Sequence, residues 1–570
     1  MFRSELVKAI AKAGLEEKLA EELLEVPPQK EMGDFALPCF KLAAQMKKNP
    51  AQIAQELASK IALPKSFKSA QAKGPYINFF LEEGKFGSET VSEVLKEGAK
   101  YGKVKKAGTA KKAILEFCGA NPMKAFHIGH VRNIALGEAI ARLHEATGKK
   151  VIRIYYGGDV GPHVSKSIYA YNELAHEPEP ENIMGKGKWL GELYKAGSQK
   201  VKDNPDLEVK MRGMVLELAS GKNKKMSKDW AHLRKISLEY FDAIFAQFGM
   251  KFDRTIMESE VEALGTEIAN TLLKQGVAVR DKGAILVDLD EYKLGKFLIL
   301  KSDGAALYSS KDIALAKVKQ KDYAPDESLY LVGAEQAFYF QQLKKTVEIL
   351  NAIKPEYNPI THISYELVRL EGGKMSSREG NVITYSELFD EMFSKTFTET
   401  MQRHPDWGKK KIEETAKILA LAAIKFGMLA HDRNSVITFN WEKATSIEGE
   451  TGPFILYSYA RAKSILKKAG KLAKPVPKKL ELSHPKEKLL VSLLASFKDK
   501  IGESAEQASP HKIAFYLLGL AQEFNSFYHE VPVLQSADGK AADRLALVAA
   551  VVQVLENGLE ILNIEPTEQM

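Results

Sequence analysis

Two histidines, His127 and His130, flank Gly129 in the string His-Ile-Gly-His at 127–130. Apolar side chains recur every four positions after it, at Val131, Ala135, Ala139 and Leu143. This spacing predicts a helix that begins at about Gly129. A helix N-terminus offers unpaired N–H groups and partial positive charge, which suit a polyphosphate, and Gly129 would let a base or ribose approach the backbone. The alternative is a pair of histidines at an ordinary strand-to-helix turn.

A second string, Lys-Met-Ser-Ser-Arg-Glu-Gly at 374–380, lies much later in the chain. Its cation and hydroxyls could also contact phosphate oxygens. In this order, the two strings together indicate an enzyme that uses ATP to activate a carboxylic acid.

The elements around the first string form a strand, loop, helix and strand. The apolar run at 113–117 predicts a buried strand, and Cys-Gly-Ala-Asn-Pro at 118–122 predicts the turn that ends it. Gly148 is a plausible C-cap for the helix, and 151–156 predicts the next strand.

Strand-like and helical runs alternate from 113 to about 390, which predicts an α/β, Rossmann-like, doubly wound parallel sheet. The strand-like runs are 114–117, 151–156, 284–287, 297–300, 329–332 and 365–370. The predicted domains are a small α+β domain at 1–105, a catalytic domain at 106–440 with a helical insertion around 170–250, and an all-helical domain at 441–570.

Composition limits the class of protein. The 570 residues are 45% hydrophobic and 27% charged, which is typical of globular chains and predicts two to four domains. No apolar stretch is long enough to span a membrane, and the N-terminus lacks a secretion signal. With only Cys39 and Cys118, neither a disulfide framework nor a cysteine-based zinc site is expected, and a cytoplasmic location fits.

The net charge of +8 does not by itself indicate a nucleic-acid partner, but a lysine-rich stretch at 461–488 could be either a solvated helix face or a track for phosphates.

The chain resembles class I aminoacyl-tRNA synthetases, and specifically the arginyl-tRNA synthetase family. The similarity extends along nearly the whole chain. It is carried by the segments 116–122 with 127–130, 308–314, 332–336, 375–378, 450–461, 524–529 and the terminal Met570.

The resemblance implies an arginine–tRNA ligase. Such an enzyme activates L-arginine with ATP to arginyl-adenylate, releases pyrophosphate, and transfers arginine to the terminal adenosine of its tRNA. Mg²⁺ would arrive with ATP, and the protein would have no metal site of its own. The chain would be a monomer without a membrane partner. Two rival hypotheses are a nucleotidylyltransferase with the same histidine motif that needs no tRNA, and an inactive RNA-binding paralogue.

The resemblance also implies which residues act on ATP. The ATP-binding set is Gly129, His127, His130, Met375, Ser376 and Ser377, and the catalytic set is His127, His130, Lys124 and Lys374. The usual second lysine of the Lys-Met-Ser-Lys-Ser loop is replaced here by Ser377. We therefore expect Lys124 and Lys374 to share its role, with Arg378 as a possible helper; the alternative for Lys124 is a surface lysine.

Two further sets follow from the resemblance. Arginine is expected to contact Asn121, Glu116, Glu258, Tyr308, Asp312 and Gln336, because a guanidinium needs carboxylate and hydroxyl partners. The tRNA is expected to contact Tyr76, Asn78, Tyr457, Arg461, Tyr528 and Met570. The alternatives are capping or surface roles for the acids and core packing for the tyrosines.

Overall fold

The computed structural model of this protein describes residues 2–25, 27, 32–104, 110–302, 304, 306–370, 383–439, 449–470, 479–535 and 539–570. Lys374, Met375, Ser376, Ser377 and Arg378 lie outside these residues.

The N-terminal part is a small α+β arrangement. Its elements are α1 (Phe2–Lys12), α2 (Glu17–Leu23), β1 (Phe35–Pro38), α3 (Ala43–Met46), α4 (Pro50–Lys60), β2 (Phe67–Lys73), β3 (Tyr76–Leu81) and α5 (Glu83–Glu97). The strands form an antiparallel sheet in the order β1-β3-β2. Its core side carries Leu37, Ile77 and Phe79, which pack against apolar residues of α1 and α4.

The next elements begin the catalytic part. They are β4 (Lys112–Glu116), α6 (Ile128–Ala146), β5 (Lys150–Gly157), α7 (Pro162–Glu173), α8 (Ile183–Asp203), α9 (Leu207–Ser220), α10 (Lys224–Gln247), β6 (Arg254–Met257) and α11 (Glu258–Lys274). The elements that follow are β7 (Val279–Asp281), β8 (Ala284–Asp288), β9 (Lys296–Leu300), α12 (Tyr308–Tyr323), β10 (Glu327–Gly333), α13 (Ala337–Ile353), β11 (Thr361–Tyr365), β12 (Val368–Leu370), α14 (Tyr385–Arg403), α15 (Lys409–Leu429) and β13 (Ile437–Phe439).

Five parallel strands in the order β11-β10-β4-β5-β6 confirm the doubly wound fold class. The chain extends from β4 to β5 and β6 on one side, and later to β10 and β11 on the other. The order therefore reverses next to β4. In open α/β sheets, ligands bind beyond the carboxyl ends of the strands at such a reversal. The loop between β4 and α6 leads from this position.

The region predicted as an insertion is helical. The helices α7 to α10 lie between β5 and β6 and share an apolar cluster that includes Ile168, Trp189, Leu193 and Leu233. This local core explains why the charged sequence around 170–250 forms helices that pack on one another.

Two predicted strands do not belong to the parallel sheet. The strands β8 and β9, predicted at 284–287 and 297–300, pair antiparallel with each other and with β7 in a separate three-stranded sheet. Their apolar side chains still enter the core beneath the parallel sheet, for example Ile285 and Phe297. The predicted run at 365–370 is also divided, because Val368–Leu370 pairs with β13.

The last part of the chain is helical, as α16 (Gly452–Ala469), α17 (Pro485–Glu506), α18 (His511–Glu530) and α19 (Ala541–Ile561). The chain divides into two compact units. One contains residues 1–101, 462–496 and 523–554, and the other contains 102–461, 497–522 and 555–570. Each of the four last helices thus contributes to both units.

Within the described ranges, no helix has both the length and the apolar character needed to cross a membrane. Over the same ranges, no group of three or more His, Cys, Asp or Glu side chains is arranged to hold a metal ion.

Candidate active site

The turn before α6 is held by the two histidines themselves. His127 is the N-cap of the helix, and its Nδ1 accepts a hydrogen bond from the Gly129 N–H at 3.2 Å. The His127 N–H in turn donates to Nδ1 of His130 at 3.2 Å. The two rings stack with centroids 3.7 Å apart. A Cβ atom at Gly129 would lie 3.0 Å from the His127 ring, so glycine is needed there for the ring as well.

These hydrogen bonds determine the tautomer of both imidazoles. A neutral imidazole carries its proton on one nitrogen only, and both Nδ1 atoms act as acceptors here. The proton therefore belongs on Nε2 of each ring. Burial and the nearby charge of Lys124 lower the pKa of His127 to about 4, and burial lowers the pKa of His130 well below its usual value. Near pH 7, the site presents two neutral N–H donors.

The backbone around His127 is held by the residues that follow the Lys-Met-Ser-Ser-Arg-Glu-Gly string at 374–380. The Ile128 N–H donates to the Ile383 carbonyl at 2.9 Å, and the Tyr385 N–H donates to the Phe126 carbonyl at 2.7 Å. Thr384 forms an isolated bridge with His127 and caps α14. The residues immediately after 371–382 therefore adjoin the histidine turn.

Lys124 lies within electrostatic range of this turn. Its charge contributes to the lowered pKa values of His127, His130 and His163. Its Nζ lies 5.3 Å from the ring centroid of Tyr194, a residue of α8. This cation–π geometry orients the ammonium, so Lys124 is more than an unconstrained surface lysine.

The loop between β4 and α6 has an unusual backbone. Cys118 and Met123 are non-glycine residues with φ of 95° and 63°. Asn133 of α6 accepts from the Cys118 N–H at 2.5 Å, and Ser237 of α10 accepts from the Met123 N–H at 2.6 Å. Backbone conformations of this kind persist where surrounding contacts enforce them, often at functional sites.

Two side chains meet at Gly158, just after β5. Asn121 Oδ1 accepts from the Gly158 N–H at 2.9 Å. A Cβ atom at Gly158 would lie 2.8 Å from Asn121 Oδ1 and 3.1 Å from Glu258 Oε1. Asn121 and Glu258, both expected to contact arginine, therefore border the same glycine. Burial raises the pKa of Glu258, with Lys311 acting against that rise.

The start of α12 carries two more of the expected arginine-binding residues. Tyr308 is its first residue, 61% exposed, and Asp312 lies one turn later. Asp312 accepts a hydrogen bond from the Tyr339 hydroxyl. Burial, opposed by that hydrogen bond, raises the pKa of Asp312 to about 7. Burial raises the pKa of Tyr308, and the negative charges of Glu258 and Asp312 raise it further, which indicates that the three groups are neighbours.

The other two expected arginine-binding residues are placed differently. The Glu116 carboxylate forms an ion pair with Lys319, whose ammonium is fully buried and also lies 3.9 Å from the Tyr330 ring centroid. Gln336 ends the short 3₁₀ turn Ala334–Gln336 and is exposed. In this conformation the Glu116 carboxylate is paired with Lys319, and the Gln336 side chain is exposed to solvent.

Sequence analysis missed several residues that support this site. Asp159 is fully buried, accepts from the Ser259 N–H at 3.0 Å and hydroxyl at 2.7 Å, and pairs with Arg234 at 2.8 Å. It thereby fixes the first turn of α11, which begins at Glu258. The position of the Gly-Gly-Asp string at 157–159, directly after a predicted strand, could have indicated it. Lys311 and Tyr339 gave no local signal.

The residues expected to contact tRNA form two groups and a single position. Tyr76 and Asn78 alternate with core residues along β3, so they belong to its other face; Asn78 is only 6% exposed. Tyr457 and Met570 line one cavity of about 290 Å³, together with Thr396, Glu399, Thr400, Arg403, His404, Leu419 and Pro453. Arg461 donates to the Tyr457 hydroxyl at 3.0 Å and lies over its ring. Tyr528 is 42% exposed on α18.

Three domain families match this chain. Residues 90–441 match the family model for the class I tRNA synthetase (R) catalytic domain, 1–81 match the arginyl-tRNA synthetase N-terminal domain, and 455–570 match the DALR anticodon-binding domain. Together, the parallel sheet, the histidine turn and these matches define a class I aminoacyl-tRNA synthetase.

Two relatives and one solved structure identify the family within this class. The chain is 35% identical to the arginine–tRNA ligase of Clostridium perfringens, covering 98% of this chain and 97% of that protein. It is 33% identical to that of Halothermothrix orenii over the full length of both. The arginyl-tRNA synthetase structure of Thermus thermophilus superimposes with a TM-score of 0.82 at 26% identity and full coverage of both chains. The chain belongs to the arginyl-tRNA synthetase family.

The imidazoles of His127 and His130 should remain neutral, with the proton on Nε2, from pH 8 down to about pH 5. Selective ¹⁵N-histidine labelling would report the tautomers, with His127→Gln and His130→Gln assigning the signals. Because the unfolded chain takes up protons near pH 6.5, stability should fall as the pH drops from about 6.5 toward 4. Titration of either folded ring near pH 6.5 would contradict the assignment.

Gly158→Ala should raise the KM for arginine roughly tenfold to a hundredfold, because the new methyl group would displace Asn121 or Glu258. The KM for ATP should change little. Gly213→Ala is the matched control, since a Cβ atom there meets nothing within 4 Å. An unchanged KM for arginine in Gly158→Ala would show that this glycine does not border the arginine pocket.

Proposed function

We propose that this chain activates L-arginine with MgATP and then transfers the arginyl group to the terminal adenosine of its tRNA. An arginine carboxylate oxygen attacks the α-phosphorus, the bond to the β-phosphate oxygen breaks, and pyrophosphate leaves. A hydroxyl of the terminal adenosine then attacks the arginyl carbonyl, and AMP leaves with the bonding electrons. The observation that carries this proposal is the pair of neutral imidazole donors at the start of α6, together with the Asn121 and Glu258 side chains that both border Gly158.

The histidines stabilise charge on the phosphates in this scheme. Their Nε2–H groups at the start of α6 donate to phosphate oxygens, where negative charge increases during the displacement. Because the backbone holds both Nδ1 atoms, the donors need no reorganisation when the substrate binds. Lys124 and Lys374 supply positive charge to the same phosphates. Mg²⁺, bound with ATP, neutralises further phosphate charge.

Arginine selection follows from the charges of the pocket. Glu258, Asp312 and the Tyr308 hydroxyl offer acceptors to the guanidinium fork, while Asn121 and Gln336 bind the amino-acid backbone. Lysine carries a single ammonium and leaves some of these acceptors unpaired. Discrimination can then come from binding alone.

The cavity at Tyr457 and Met570 is our proposed site for an anticodon base. Tyr457 provides an aromatic surface, while Arg403 and His404 at the end of α14 provide donors. Arg461 orders the Tyr457 ring. Tyr76 and Asn78 would contact the tRNA elbow, and Tyr528 a further part of the anticodon stem-loop. We also propose that the protein acts in the cytoplasm, which is consistent with its two buried, unbridged cysteines. We propose that it acts there as a monomer.

ATP–pyrophosphate exchange should depend on arginine and should fall at least about tenfold without cognate tRNA. The physical reason is that Tyr308 and Gln336 are exposed, so we expect tRNA binding to complete their contacts to arginine. Exchange at the full rate without tRNA would support the nucleotidylyltransferase hypothesis. No exchange under any condition would support the RNA-binding paralogue, and exchange with another amino acid would refute arginine as the substrate.

Lys124→Ala should slow single-turnover activation much more than it weakens arginine binding. The expected loss is roughly 2–4 kcal/mol of transition-state stabilisation, the scale of one oxyanion-type donor. Lys195→Ala, an exposed lysine on α8 next to Tyr194, is the control and should behave like the parent. A Lys124→Ala rate within about threefold of the parent would exclude the role. Partial rescue by Ser377→Lys in that background would show that the two positions share it.

A further inference from the structure

A buried lysine lies between two carboxylates beside the arginine pocket. Lys311 Nζ is 3.1 Å from Glu258 Oε2 and 3.3 Å from Glu262 Oε2. The Lys311 and Glu258 side chains are 9% and 6% exposed, whereas Glu262 is 38% exposed. The two carboxylates are four residues apart on α11 and therefore share one face of that helix.

Close helix packing places the lysine there. Gly265 lies three residues beyond Glu262, on the same face of α11. A Cβ atom at Gly265 would lie 2.8 Å from the Ser310 carbonyl oxygen and 3.2 Å from the Lys311 nitrogen. The backbones of α11 and α12 thus nearly touch at the residue from which the lysine side chain starts. Its stem extends along α11 and ends between the carboxylates.

The surroundings of Glu258 oppose its ionisation. Burial raises its pKa, and the neighbouring charges of Asp159 and Glu262 raise it further. Lys311 counteracts all three by its charge and its hydrogen bond. The titratable and charged groups that face Glu258 from the surrounding elements are Asp159 with its partner Arg234, Tyr156 of β5, Glu262 of α11, and Tyr308, Lys311 and Asp312 of α12.

The two carboxylate oxygens of Glu258 have different neighbours. Oε2 accepts from Lys311, whereas Oε1 is the atom beside Gly158 and close to Asn121. The oxygen on the side of the expected substrate is therefore the one that Lys311 does not use. A cation bound there would share Glu258 with the lysine.

We propose that Lys311 is a positioning residue of the arginine site: its ammonium binds Oε2 of Glu258 and offsets the buried carboxylates around it, which leaves Oε1 for the guanidinium of the substrate. This inference rests on the proposed arginine activation. It assigns to Lys311 a role through Glu258, without contact between Lys311 and the reacting atoms.

The test is Lys311→Met in the full-length enzyme, assayed by arginine-dependent pyrophosphate exchange with tRNA at several pH values. Near pH 7, kcat/KM for arginine should fall about 10–100-fold, chiefly through KM, since a hydrogen bond to a charged group is lost. It should also rise with pH more steeply than in the parent, because without Lys311 burial and the neighbouring carboxylates oppose the ionised Glu258 that binds the guanidinium. The parent should show only the smaller rise that Asp312, with its pKa of about 7, causes, and the KM for ATP should stay the same.

Three further variants define the outcome. Lys311→Arg keeps the charge and should restore the parent's pH profile. Lys317→Met is the matched control, because Lys317 also lies on α12 and pairs with a carboxylate, Glu356, at 3.0 Å. Lys311→Gln removes the charge but keeps a donor, and it replaces Lys311→Met if that variant does not fold.

A pH profile and a KM for arginine equal to those of the parent, in either neutral variant, would overturn the inference. So would a lower kcat with an unchanged KM, which is the result expected of a merely structural lysine. If the parent enzyme itself does not use arginine, the proposed function fails first and the inference fails with it. Normal arginine use by the parent, with the parent's pH profile unchanged in the variants, would refute the role of Lys311 alone.

Discussion

The capping of α6 determines how the rest of the site works. The first N–H groups of any helix lack partners within the helix, and here imidazole nitrogens satisfy the turn that leads into it. His127 and His130 both use Nδ1 for this purpose. Structure and chemistry are therefore coupled in the same two side chains: the hydrogen bonds that stabilise the turn leave Nε2 as the protonated atom. Burial then keeps the rings neutral.

The proposed arginine site depends on balanced buried charge. A carboxylate removed from water is stable only with a partner. Asp159 has Arg234 and the first turn of α11, Glu116 has Lys319, and Glu258 has Lys311. These pairs join elements that are far apart in sequence.

Asp312 differs from these acids, because it accepts a hydrogen bond from the neutral hydroxyl of Tyr339 and burial raises its pKa to about 7. A guanidinium placed beside it would favour its ionised form. Arginine would then stabilise its own binding site electrostatically, in addition to contacting it. The same carboxyl group would be less able to bind an uncharged side chain.

Much of this protein follows from local sequence. The helix after His127 and the strands on either side of it depend on the spacing of apolar residues, and the structure has α6 at Ile128–Ala146 with Gly148 in the left-handed region. The parallel sheet and the family were predicted for the same reason, since motifs and alternation of elements are local patterns. The residues at 374–378 lie outside the described residues, and their roles stay predictions.

Other properties depend on contacts between distant residues. Periodicity shows that 284–287 and 297–300 are strands, but not that they pair antiparallel. The short connection from Asp288 to Lys296 does exclude a direct parallel crossover, which needs a dozen residues or more. Lys311 and Tyr339 have no local signal, because their importance arises only when α12 packs against α11 and α13. Sequence alone determined which elements form and which family they belong to. Only the tertiary structure decided the tautomers and the charge partners, because both depend on burial and on atoms that folding brings together.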